Sequence, residues 1–185
     1  MANDRFPLPG KVKPTWHDAK RQDLGRGEDW LYPEKGTEKG EDQPGLLVCP
    51  RCHAISEIKR WFVDEARYQE LRTRPEVLLV VCPGCRRIER QQYDGEVTLQ
   101  SPLLAQNQEE ALHLIQNTED KARQDNPFSR LASVEAEGDT IHVLTTTQWL
   151  AERIGKEFNK AFNGDLEIQR LPGEKFSRVR WQRAA

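Results

Sequence analysis

Apolar residues along this chain keep two different rhythms, preceded by a stretch with none. Over the first 45 residues Pro7, Pro9, Pro14, Pro33 and Pro44 alternate with Gly10, Gly25, Gly27, Gly36, Gly40 and Gly45, and no face accumulates apolar side chains. Such a segment cannot bury enough surface to offset the entropy of ordering it, so residues 1–45 are expected to form an extended or disordered arm. Short β-branched runs follow. Residues 46–48 and 77–81 read as strands, each entering a cysteine pair, the second too short and too β-branched for a helix. Between them residues 61–72 read as a short helix with Phe62, Ala66 and Leu71 inward, ending before Pro75. Residues 95–99 read as a strand leading out of this module, which spans residues 46–100.

Beyond residue 101 helical spacing takes over. Ala111, Leu112, Ile115, Thr118 and Ala122 predict a helix over 107–124, stopped by Asn126-Pro127. Strands are expected at 131–137 and 140–146, joined through the tight reversal Glu137-Gly138-Asp139. A second helix is expected over 148–162. There Leu150, Ile154, Phe158 and Phe162 step by four, with Ala151, Gly155 and Ala161 beside them, and Asn163-Gly164 as the stop. Residues 166–171 and 176–183 complete the set, separated by Pro172-Gly173. In the last strand, alternation places Val179 and Trp181 on one side and Arg178 and Arg180 on the other. The expected fold class is α+β: a four-cysteine zinc ribbon, then a small two-layer unit over 101–185 of roughly βαββαββ order, ferredoxin-like or KH-like.

Composition narrows the picture. Charged residues make up 31% of 185, mean hydropathy is −0.82, and no apolar run is long enough to span a bilayer. The length suits one ordinary domain or two small ones. A net charge of −2 argues against a uniformly basic coat, leaving only a local basic face as an electrostatic footprint. The arm is mixed, with eight Lys/Arg against nine Asp/Glu. It carries Phe6, Trp16, Trp30 and Tyr32, which suit either aromatics tucked onto the chain's own domain or a segment that orders on a partner.

All four cysteines fall in two pairs, Cys49-Pro50-Arg51-Cys52 and Cys82-Pro83-Gly84-Cys85. Two residues between thiols let one tight turn aim both sulfurs at one centre. Two such turns supply the four thiolates of a closed tetrahedral Zn²⁺ site, giving metal ligands Cys49, Cys52, Cys82 and Cys85 and one structural zinc. The 29 intervening residues are no obstacle, because loop-closure cost grows only logarithmically. Three other readings compete. Cys49-x-x-Cys52-His53 matches a c-type haem attachment, but that needs export, the N-terminus lacks an apolar signal core, and Met1 is the sole methionine. A redox pair wants a βαβ context, and two disulfides suit a small secreted domain. With four metal-suited thiols and no signal peptide read at the N-terminus, the reducing cytoplasm is the expected location.

Three groups of cations are candidate phosphate contacts: Arg86, Arg87 and Arg90 after the second knuckle, Arg153, Lys156 and Lys160 on the second long helix, and Arg178 and Arg180 in the last strand. The first two groups are equally consistent with a solvated face; for the third the competing reading is edge protection, Trp181 being expected in the core and the arginines favoured as RNA contacts. No active site is legible. His17, His53, His113 and His142 are scattered, no Gly-rich phosphate loop, G-x-S-x-G or H-E-x-x-H occurs, and no carboxylate pair stands out. The chain is therefore expected not to be an enzyme.

Three blocks together resemble a known family. They are the paired knuckles followed by Arg86-Arg87-Ile88, the stretch from Ile141-His142-Val143-Leu144 through Leu150-Ala151-Glu152-Arg153-Ile154-Gly155, and the closing Arg178-Val179-Arg180-Trp181. In that order they resemble the zinc region of the nonsense-mediated-decay-type export adaptor family of the large ribosomal subunit, in its short prokaryotic form, over roughly residues 46–183. The sequence departs from the family in having only two Cys-x-x-Cys pairs and in carrying Trp149 where a polar residue, often His, is expected. The further β domains and export segments of the larger adaptors are also missing. The resemblance implies association with the ribosome or structured RNA, in assembly, hibernation or translation; the arm, which the resemblance leaves out, is expected to reach ribosomal proteins. The competing reading is a protein-binding adaptor that presents Trp16, Trp30 and Trp61.

Overall fold

Two β-sheets organise the computed structural model, which describes residues 45–184 apart from 59, 172 and 174. The expectations for the arm, including Phe6, Trp16, Trp30 and Tyr32, lie outside the described residues.

The first sheet has the order β3-β2-β1-β4, with β1 at Leu47–Val48, β2 at Ala54–Glu57, β3 at Arg60–Val63 and β4 at Leu78–Leu79. β1 runs antiparallel to β2 and parallel to β4. The helix expected over 61–72 is divided. Trp61 and Phe62 belong to β3, opposite Ser56 and Ile55, because aromatic and β-branched side chains fit a pleated surface better than a first helical turn. Helix α1 begins only at Glu65–Leu71, where the Asp64 carboxylate accepts from Arg67 N at 3.0 Å and caps it. Its inward residues are Tyr68 and Leu71, while Ala66 is exposed. The second strand also shrinks: of 77–81 only Leu78–Leu79 pair.

After the second cysteine pair the chain turns helical. Helix α2 spans Pro83–Glu89, with Cys82 as its N-cap and Pro83 in the first turn, where a missing N–H costs nothing. Arg86, Arg87 and Arg90 therefore lie on a helix and its C-cap, not along a strand.

The second sheet has the order β6-β7-β5-β9-β8: β5 Gly95–Gln100, β6 Leu131–Glu137, β7 Thr140–Thr145, β8 Asp165–Arg170 and β9 Ser177–Gln182. β5, expected to lead out of the cysteine module, is instead the central strand, antiparallel to β7 and parallel to β9. A short 3-10 helix, Pro102–Ala105, then leads to α3, Gln108–Asp125. α4, Gln148–Phe162, starts at Thr147, whose hydroxyl accepts from Leu150 N at 3.4 Å. Its stripe of Leu150, Ile154 and Phe158 is buried against Val97, Val143, Val179 and Trp181. Each such side chain contributes about 1.5–3 kcal/mol by leaving water. Gly155 lets α4 approach the sheet: a β-carbon there would stand 2.4 Å from Val179 Cγ1.

Both long helices cover the same face of this sheet. The other face carries the alternate residues Glu96, Thr98, His142, Arg178 and Arg180. No helix among the described residues is long and apolar enough to cross a membrane.

Candidate metal centre

The two Cys-x-x-Cys turns are built differently and meet at one point. The first closes the β1–β2 hairpin. Cys49 N donates to Ala54 O at 2.8 Å, His53 N donates to Cys49 O at 3.0 Å, and His53 adopts a positive φ of 63° to complete the reversal. The second sits at the start of α2, where Cys85 N donates to Cys82 Sγ at 3.4 Å. Cys82 N donates in turn to Cys49 Sγ at 3.4 Å, joining the two turns. All four cysteines are buried and free. One sulfur from each lies within 4.8 Å of every other, so the cluster could hold a metal ion.

Electrostatics favour a cation at this point. Hydrogen bonds from Cys52, then Cys82 and Cys85, push the Cys49 thiol well below its ordinary range. Their bonding to Cys49 pushes Cys82 and Cys85 well above it. Four buried thiolates coexist only with positive charge between them, and a bound dication deprotonates its thiol ligands outright.

Around the sulfurs stands a set of side chains that sequence reasoning passed over. Arg130 Nη1 donates to Cys85 Sγ at 3.8 Å, and its Nε donates to Glu119 Oε1 at 2.9 Å. Burial opposes the Arg130 charge, but Glu119 first and Cys52 next raise its pKa further. Glu119, buried on α3, also accepts from Leu131 N at 3.0 Å and Gln116 Nε2 at 2.8 Å. One turn along α3, Arg123 Nη2 donates to Cys52 O at 2.8 Å. Trp61 meets Phe128 edge-on with ring centroids 6.5 Å apart, and Arg51 pairs with Glu89 at 2.7 Å, tying one knuckle to the helix of the other. The only signal in the sequence was a charged pair at helical spacing, Glu119 and Arg123, which reads as a solvated face.

The eight candidate phosphate contacts do not assemble into one surface. Arg87 is nearly buried and paired with Asp94 at 2.5 Å. On α4, Arg153 pairs with Asp125 at 3.2 Å, Lys156 with Glu152 at 3.9 Å and Lys160 with Glu157 at 3.4 Å. Arg178 pairs with Glu96 at 3.2 Å on the opposite side of the sheet from α4. Arg180 shares that side, flanked by Thr98 and Glu167. Arg86 and Arg180 have no carboxylate partner among the described residues. Trp181 is buried on the helix side, so no aromatic from β9 joins Arg178 and Arg180. Trp61 is half-buried against the cysteines, and Trp149 is exposed, with the Arg170 guanidinium 5.9 Å from its ring centre.

The chain is thus a mixed α+β protein that has, among the described residues, two sheets, four α-helices and a buried four-cysteine cluster able to hold a metal ion. No protein-family model, curated protein or solved structure matches it.

Proposed function

We propose that this is a non-catalytic, zinc-stapled binding protein that associates with the ribosome or with structured RNA in the cytoplasm. The observation that carries the first half is the convergence of four buried sulfurs from two turns. Four thiolates suit zinc: a tetrahedron with bonds of about 2.3 Å has edges of about 3.8 Å, and the Cys52 and Cys82 sulfurs are already 3.4 Å apart. Such a set leaves no open position for a substrate, so the metal is structural. In this reading the first unit is a zinc ribbon whose second knuckle passes into a helix, and the second unit has a βαββαββ element order with β9 parallel to the central β5.

The RNA half rests on the resemblance to the large-subunit export adaptors; here the second and third blocks touch, and the first reaches the second through Phe128. Phe128 packs over Gly84 of the second knuckle, its carbonyl accepts from Thr146 Oγ1 at 2.5 Å, and Gly155 of α4 rests on Val179. Within this reading, Arg86 and Arg90, one turn apart beside the metal, are the principal phosphate contacts. Sedimentation of lysate containing a tagged copy tests it: the protein should travel with ribosomal particles and leave those fractions after ribonuclease treatment.

A second reading, a zinc-containing adaptor for protein partners, is favoured by one observation. At least five of the eight candidate cations already face carboxylates. Co-sedimentation that survives ribonuclease selects it.

A further inference from the structure

A deeply buried charged cluster that touches the cysteines comes from α3 and the segment leading into β6. Glu119 is 2% exposed and Arg130 only 15% in their side chains. Glu119 holds Arg130 from α3 and is itself held by Leu131 N and Gln116, so the guanidinium is positioned without help from the sulfurs. From there Nη1 reaches Cys85, while Arg123 reaches the carbonyl of Cys52. Each knuckle thus receives one arginine from the second unit, and Phe128 presses its backbone against Gly84 between them.

We infer that Arg130, seconded by Arg123, positions the metal site, and that metal loading fixes the docking of the two knuckles onto the five-stranded sheet. This rests on the zinc reading above. Four thiolates around a dication leave two negative charges at the centre, and a guanidinium N–H bonded to a ligand sulfur stabilises that charge. A metal-bound thiolate accepts such a bond more strongly than a neutral thiol does. Metal binding therefore tightens the Arg130–Cys85 bond. By linkage the docked arrangement binds the metal more tightly, by the same factor. Lysine would keep the charge, but it lacks the planar fork that reaches Glu119 and Cys85 together.

The experiment uses the full chain loaded with Zn²⁺, with release timed by a chromophoric chelator, and compares wild type, R130Q, R130K and the exposed control K121Q. Release should be about 10–100-fold faster in R130Q, intermediate in R130K and unchanged in K121Q. In wild type, hydrogen exchange at residues 128–131 should rise when the metal is withdrawn. Zinc release from R130Q at the wild-type rate overturns the positioning role, and exchange at 128–131 that ignores the metal overturns the docking role. Should R130Q fail to fold, R130K and the wild-type exchange arm still decide. A wild-type chain that binds no metal through its thiols removes the zinc reading as well, whereas normal metal content with unchanged release removes this inference alone.

Discussion

Gly84 lies close against the backbone of Phe128: a β-carbon at residue 84 would stand 3.0 Å from Phe128 Cα and 3.4 Å from its carbonyl oxygen. The glycine inside the second cysteine pair therefore serves the docking of the two sheets as well as the turn itself. Gly84→Val should displace the segment at residues 128–130 and cost about 1–3 kcal/mol, the range for overpacking a tight interface. Thermal unfolding of the zinc-loaded chain measures it, and a wild-type midpoint would show that the two surfaces are looser than they look.

Removing one ligand should undo more than the knuckles. Cys85→Ser leaves three sulfurs and removes the sulfur that accepts from Arg130 Nη1. The expected result is loss of the bound metal together with a fall in the midpoint of the whole described body, since structural zinc contributes folding free energy directly. Metal analysis paired with circular dichroism reads both. Retention of stoichiometric zinc would contradict the assignment of that ligand.

The packing of α4 on the sheet hinges on Gly155. Adding a methyl group there places it 2.4 Å from Val179 Cγ1 and 2.9 Å from Leu166 Cδ1. Gly155→Ala gains a little helix propensity, but the clash should dominate, with a net loss of about 1–3 kcal/mol in urea unfolding. Metal content should stay unchanged, because this junction lies among α4, β8 and β9, away from the cysteines.

Stability should fall at acid pH through Glu152. Its carboxylate, 2% exposed in the side chain, accepts from Arg170 Nε at 2.7 Å and Nη2 at 2.6 Å and from Ser177 Oγ at 2.9 Å. Arg170 chiefly, against the opposing effect of burial, holds its pKa below the ordinary value, with Ser177 adding to the depression. The unfolded chain takes up this proton first. The stabilisation is therefore complete above an unfolded carboxylate pKa of about 4.3 and is lost as pH drops through the lower folded value. Glu152→Gln should lower stability at neutral pH by about 1–3 kcal/mol and flatten the decline below pH ~4. An acid profile identical to wild type would count against Glu152 as the titrating group.

If RNA is the partner, the arginines after the second knuckle should not behave alike. Arg86→Ala with Arg90→Ala should weaken binding across sequences and reduce the salt slope by about 0.9 for each phosphate no longer neutralised. Arg87→Ala should instead destabilise the fold, because its guanidinium is engaged by Asp94 between α2 and β5. Filter binding over a salt series, alongside thermal melts, separates these effects. A double variant with an unchanged slope would move the phosphate-binding residues elsewhere.

Features written locally or periodically were legible from the residues alone. The spacing within each cysteine pair marked the four residues that converge. The four-residue step of Leu150, Ile154 and Phe158 and the alternation around Val179 and Trp181 marked the faces that enter the core, because burial repeats with the geometry of helix and strand. Local signals also misled where a neighbour outweighed them: Trp61 and Phe62 have helix-compatible spacing, yet pair with β2 once that strand is beside them. What the charges do emerges only once the chain is folded. Glu119, Arg123 and Arg130 look like solvated residues in the sequence, since an ion pair across distant segments leaves no period. Folding buries them against the cysteines, where one unpaired charge would cost several kcal/mol, and the same contacts hold α3 against the two knuckles.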